Sequence, residues 1–129
     1  MIVDTSPLIS ILRNEPERDQ FIEILGRRAG RISAANWFEA AMVSDSARLH
    51  AGDRFDQLVE SARLTIEPVT EAHARAARIA FRRYGRGSGS PAKLNFGDCF
   101  AYALSATSGE PLLFKGRNFT HTDVLRAID

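Results

Sequence analysis

Met1-Ile2-Val3-Asp4-Thr5-Ser6-Pro7 opens the chain with a short apolar run, closed by a carboxylate and followed at once by the chemistry of a helix start. Ser6 reads as an N-cap, with Pro7 at the first helical position, where a missing N–H does no harm. The arrangement recurs. Arg31-Ile32-Ser33 leads to Glu39, Leu94-Asn95-Phe96-Gly97 to Asp98, and Pro111-Leu112-Leu113-Phe114 toward Asp123. Short strands alternating with helical segments predict an α/β fold with a mainly parallel sheet, whose ligand crevice lies outside the carboxyl ends of the strands. Acids far apart in sequence should therefore converge on one edge.

Between these points the pattern predicts further elements. Leu8, Ile9, Ile11 and Leu12 give the first helix a core face, and Phe21, Ile22, Ile24 and Leu25 mark a second that stops near Gly26 or Gly30. A long helix from about Asn36 to Gly52 is followed by one capped by Asp53, a strand within 64–69, and a helix from Thr70 to Tyr84 with a stripe of Ala72, Ala76, Ile79 and Ala80. Gly85 to Ala92 reads as a mobile surface loop and Phe96 to Ser108 as a helix. Trp37, Phe38, Phe96, Phe100 and Tyr102 are expected in the core. No internal repeat is present.

The 129 residues suit one domain, and 44% hydrophobic with 26% charged residues describes a globular chain. No apolar run approaches the ~20 residues that cross a bilayer, and no signal-peptide layout is seen, so a cytoplasmic protein with no membrane partner is expected. Cys99 is the only cysteine, which rules out an internal disulfide and a cysteine-built zinc site. The net charge is +1, yet all basic residues but Lys93 and Lys115 are arginine, whose planar fork suits phosphate. Arg75, Arg78, Arg82, Arg83 and Arg86 cluster before Lys93. Such a run is often only a solvated helix face; beside an acidic site, Arg82, Arg83, Arg86 and Lys93 become candidate contacts for a nucleic-acid backbone.

Each acid has an ordinary explanation. Asn36-Trp37-Phe38-Glu39, Asn95-Phe96-Gly97-Asp98 and Thr120-His121-Thr122-Asp123 all have the form of a capping box. Asp4 lacks one, because an unpaired carboxylate at the end of a buried strand is costly. Two carboxylates ~5 Å apart at an effective dielectric near 20 repel by ~3 kcal/mol, and helix N-termini offset under ~2 kcal/mol each. A divalent cation would offset most of the repulsion, and oxygen ligands without histidine or cysteine suit magnesium or manganese. His50, His73 and His121 form no ligand pattern. A phosphatase of the aspartyl-phosphate type would want an acid where Ser6 stands, and no phosphate- or dinucleotide-binding glycine motif occurs in the right context.

Together, Ile2-Val3-Asp4-Thr5-Ser6, the helix bearing Glu39, Leu94 through Ala103, Pro111 through Gly116 and Phe119 through Val124 resemble a PIN-domain ribonuclease, specifically a VapC-type toxin of a bacterial toxin–antitoxin pair. The resemblance spans nearly the whole chain. It implies a compact three-layer α/β/α fold and a magnesium- or manganese-dependent endoribonuclease acting on structured RNA such as transfer or ribosomal RNA. It further implies a homodimer whose small antitoxin covers the acidic groove. By position, Asp4 and Asp98 match the family's metal ligands and Glu39 the acid that completes the site. Thr5 and Ser6 are auxiliary candidates for orienting a metal-bound water. Members of this subgroup often carry aspartate where this chain has Asn118, so the fourth position falls either to Asp123, counted here with the catalytic acids, or to Asn118, which accepts a hydrogen bond but adds no charge. Single-metal occupancy is expected without substrate. The alternative is a non-catalytic RNA- or protein-binding module on the same fold; a DNA flap nuclease would need helical segments this chain lacks.

Overall fold

The computed structural model describes residues 1–128. Four short strands, β1 (Ile2–Val3), β2 (Arg31–Ser33), β3 (Thr65–Glu67) and β4 (Leu112–Leu113), form one all-parallel sheet in the order β3-β2-β1-β4. The helices are α1 (Thr5–Leu12), α2 (Arg18–Arg27), α3 (Ala34–Asp45), α4 (Gly52–Ser61), α5 (Glu71–Tyr84) and α6 (Phe96–Ser108), followed by a 3₁₀ turn at Asn118–His121. β1 lies inside the sheet and is apolar at both positions, as a strand covered on both faces must be.

Strand alternation divides the core. Ile2 and Leu112 point to one side, with Ala77, Ala80, Tyr84, Leu94, Tyr102 and Leu104 of the α5–α6 layer. Val3, Ile32 and Leu113 point to the other, with Leu8, Leu12, Phe21, Leu25 and Phe55. A period of two sends neighbouring residues to opposite faces, so two apolar residues serve two cores. The result is a three-layer α/β/α arrangement, as the resemblance implied.

Several local expectations are corrected by the structure. Asp4, not Ser6, is the N-cap of α1: its Oδ2 accepts from the Ser6 N–H at 3.2 Å, and Pro7 sits inside the first turn. α3 starts earlier, capped by Ser33, and ends at Asp45, so Gly52 opens α4 instead of closing α3. Asn36 is therefore inside a helix and forms no capping box with Glu39. Thr120 and Asp123 form none either, because the segment turns as a 3₁₀ helix that stops at His121. Only Asn95 and Asp98 make the predicted reciprocal pair.

The small-residue stripe of α5 is rotated from expectation, with Ala77, Ala80 and Tyr84 buried and Ile79 exposed. Phe38 and Phe96 are also exposed, where the sequence suggested core. The Gly85–Ala92 loop is stitched down by side chain to backbone bonds from Ser88 and Ser90 and by a bridge between Gly85 and Leu94. A Cβ at Gly85 would overlap the Phe81 ring and carbonyl, so only glycine lets this loop close against α5.

The N-terminal end of the sheet is pinned by charge. The Met1 ammonium meets Glu110, and Arg31 bridges Glu110 to Glu67. Among the described residues, no helix is long and apolar enough to cross a membrane.

Candidate active site

Asp4 ends β1 and is buried, 4% exposed. Its Oδ2 accepts from the Ser6 hydroxyl at 2.6 Å, and Ser6 Oγ in turn accepts from the Lys115 N–H at 2.9 Å, tying the carboxylate to the end of β4. Oδ1 is buried with no partner. Unmatched buried polar atoms are rare because each forfeits its hydration, so this oxygen faces a place where something else belongs.

Glu39 reaches the same place from α3. Thr5 Oγ1 lies 2.7 Å from Glu39 Oε1 and 3.0 Å from the Asn36 carbonyl, so one hydroxyl holds both the acid and its helix. Asp98 arrives on the first turn of α6, with Oδ2 fixed by the Asn95 N–H at 3.0 Å. Its carboxylate thus caps the helix while standing close to Asp4 and Glu39, and the two are compatible.

The electrostatics record the proximity. Burial raises the Asp4 carboxyl to about 6, the negative charges of Asp98 and Glu39 add to the rise, and the Ser6 hydroxyl and N–H oppose it. Asp98 is raised by burial and by Glu39, against the lowering effects of the Asn95 N–H, Arg86 and Asn118. Three acids separated by up to 94 positions therefore feel one another as neighbours.

Two residues that hold this arrangement were not singled out from sequence. Asn36 is fully buried, and its Nδ2 donates to the Gly97 carbonyl at 2.9 Å, locking α3 to α6. Its capping-box look concealed that role. Gly97 is the other: a Cβ there would overlap both Glu39 carboxylate oxygens, so the missing side chain is what lets Glu39 lie against α6.

The remaining expectations divide. Asn118, exposed on the 3₁₀ turn, stands beside Asp98. Asp123 does not join the cluster and is corrected: its Oδ1 accepts from the Tyr102 hydroxyl at 2.6 Å and its Oδ2 pairs with Arg83 at 3.5 Å. The 3₁₀ turn ends before it and directs the chain away. The Thr5 and Ser6 hydroxyls donate to Glu39 and Asp4, so both support the acids. Arg86 and Lys93 line a cleft with Asn118; Arg82 is exposed outside it, and Arg83 is drawn to Asp123 and over the Tyr84 ring.

A hard divalent cation fits this donor set, since the ligands are oxygens and one buried oxygen lacks any partner. Among the described residues, however, no group of three His, Cys, Asp or Glu side chains is placed to hold an ion unaided. Magnesium is commonly held in just this incomplete way, by one or two carboxylates plus water and substrate phosphate.

Residues 1–125 match the family model of the PIN domain. The chain belongs to that family. Within it, this PIN domain is 50% identical to the VapC ribonuclease Mb0625 of Mycobacterium bovis and to the ribonuclease VapC28 of Mycobacterium tuberculosis, over 100% of this chain and 98% of each relative. It is 42% identical to the ribonuclease VapC of Mycolicibacterium smegmatis over 96% of the chain and 97% of that relative. These identities place the PIN domain among the VapC ribonucleases of toxin–antitoxin systems. Among solved structures it superimposes on VapC20 of M. tuberculosis, described as a sarcin–ricin loop cleaving toxin, with a TM-score of 0.76, 13% identity, and 98% and 97% of the two chains covered. A toxin–antitoxin complex from Klebsiella pneumoniae matches with a TM-score of 0.69, 18% identity, and 92% and 88% coverage. At such identities the likeness speaks for the fold.

Proposed function

We propose that this PIN domain is a magnesium- or manganese-dependent endoribonuclease toxin that cuts structured RNA, transfer or ribosomal, and so arrests translation. The observation that carries the reading is the buried, partnerless Oδ1 of Asp4, a carboxylate close enough to Asp98 and Glu39 for their charges to act on it. Asp4 and Asp98 would hold the ion and Glu39 would complete the site through the ion or a water. When bound, such an ion lowers the pKa of a water and neutralises charge on the phosphate and the leaving oxygen.

The chain's own residues do the positioning. Ser6 orients Asp4, Thr5 orients Glu39, and Asn36 sets the distance between α3 and α6. Arg86 and Lys93, with Arg82 beyond the cleft, would grip flanking phosphates, which fix register without reading sequence. Asn118 donates its amide N–H toward Asp98 and adds no charge, which supports one ion in the free protein. A small antitoxin covering the acidic edge, and a homodimer, complete the proposal.

The test is cleavage of purified RNA. Activity is expected with magnesium or manganese, none with chelator, and a loss of about 10²- to 10³-fold in Asp98→Asn, the range for removing a group that stabilises transition-state charge. A non-catalytic binding module is the second reading, favoured by the absence, among the described residues, of a complete ion cage. It would show RNA binding that survives Asp98→Asn and no metal-dependent cleavage by the parent.

Gly97→Ala separates the site from the fold. Alanine is the better helix former by up to ~1 kcal/mol, so the melting temperature is expected to hold or rise. Glu39 must move off α6, and cleavage is expected to fall by about 10-fold or more. Unchanged activity at full folding would show that Glu39 need not lie where it does.

A further inference from the structure

The acid cluster leaves one neighbouring feature unexplained. A cleft of about 590 Å³ opens between the 85–95 loop and the 3₁₀ turn, with Arg86, Lys93, Ser90 and Asn118 on its walls and no carboxylate among its lining residues. Gly87 and Gly89, at φ of +85° and +88° with open space where a Cβ would stand, keep its floor bare. The loop's shape is set by its own bonds: Arg86 N–H donates to the Leu94 carbonyl at 3.1 Å, Leu94 N–H to the Tyr84 carbonyl at 3.0 Å, and the Ser88 and Ser90 hydroxyls cap the turns between. The two cations are thus presented on a braced frame.

The cleft also joins the acids. Asn118 both lines it and stands beside Asp98, and Arg86 is near enough to favour the charged form of that carboxylate. A polyanion with one phosphate at Asp4 and Asp98 meets a positive wall here. The volume falls in the ~300–1,000 Å³ range of small-molecule pockets, enough for a backbone unit of one strand. No aromatic ring lines it, so bases have nothing to stack on, in contrast to sites that combine a basic groove with stacking.

We infer that this cleft is a subsite for the backbone of single-stranded RNA, in which Arg86 and Lys93 hold the phosphate adjoining the one at the acid cluster, without preference among bases. The inference rests on the nuclease reading and assigns where that substrate's flank lies.

The test is binding of a short, labelled single-stranded oligoribonucleotide in chelator, where hydrolysis plays no part, across a range of salt concentrations. Arg86→Gln is combined with Lys93→Asn, asparagine being chosen because position 93 has φ of +48°, which asparagine tolerates. Affinity is expected to fall about 10-fold. The slope of log affinity against log salt should shrink by about 0.7, the value for the one single-strand phosphate charge that the protein no longer neutralises. Lys93→Asn alone should remove only part of that slope, and Arg75→Gln with Arg78→Gln, farther back on α5, should leave it unchanged. The inference is overturned if the slope does not move, if the α5 pair lowers it equally, or if an RNA duplex binds more tightly than the single strand. A reduced slope in a protein that cleaves nothing would support the subsite and sink the nuclease; cleavage with an unmoved slope would do the reverse.

Discussion

Asp4→Asn is expected to abolish RNA cleavage and, in the metal-free protein, to raise stability. The two effects share one cause. Folding takes the Asp4 carboxyl from an ordinary 3.8 to about 6, mainly by burial and with the help of two neighbouring negative charges. Below 3.8 the group is protonated in both folded and unfolded chains and contributes nothing. Between 3.8 and about 6 the folded state binds the extra proton, so stability falls as pH rises. Above about 6 the full penalty stands, on the order of 3 kcal/mol at 1.36 kcal/mol per pH unit.

Asparagine keeps the cap and the Ser6 bond while removing the charge. At pH 7.5 in chelator the variant should therefore melt several degrees above the parent, and the gap should close toward pH 4. Magnesium should raise the parent's melting temperature and not the variant's, because only a ligand that binds the folded state stabilises it. Equal melting of the two proteins in chelator at neutral pH would mean that Asp4 carries no electrostatic strain. The cation argument would then lose its ground.

Asn36→Ala is expected to damage both fold and activity. Asn36 has no exposed surface, donates to Gly97 across the α3–α6 contact, and receives the Thr5 hydroxyl on its carbonyl. Truncation removes a buried hydrogen bond and leaves a void, together about 1–3 kcal/mol. Its Oδ1 is unpartnered, which holds the figure to the lower part of that range. The larger effect is on position. With α3 no longer tied to α6, Glu39 and Asp98 drift apart, and misplacement of about 1 Å can cost ~10²-fold in rate. Cleavage well below the melting temperature distinguishes the two roles. A variant that is destabilised yet fully active once folded would reduce Asn36 to packing.

Much of the site was legible in the sequence because strands in a parallel sheet share a direction. Once Asp4 and Ser33 are placed at strand ends, the acids that follow must face one edge. Glu39 and Asp98 met Asp4 for that reason. Asp123 did not, although its Thr120 partner had the form of a capping box, because the chain after β4 turns as a 3₁₀ helix and hands the carboxylate to Tyr102 and Arg83. Asn36 and Gly97 escaped notice because each acts across a helix–helix contact, through a polar donor in one case and an absent side chain in the other. Phe38 and Phe96 were assigned to the core because ring size alone suggests burial, and each lies on a helix face that no other described element covers.

Local chemistry along the chain was enough to establish an α/β topology, most helix and strand positions, and the acids Asp4, Glu39 and Asp98 as one set. Those conclusions need only periodicity, capping signals and the direction of parallel strands. Which hydroxyl supports which acid, that Asp123 leaves the set while Asn118 stays near it, and that Arg86 and Lys93 share a cleft with Asn118 were decided by tertiary packing. Such facts depend on the rotation and separation of helices to within about an ångström, and that is settled by side chains interlocking across the core at crystal-like density, not by any one segment's own preferences.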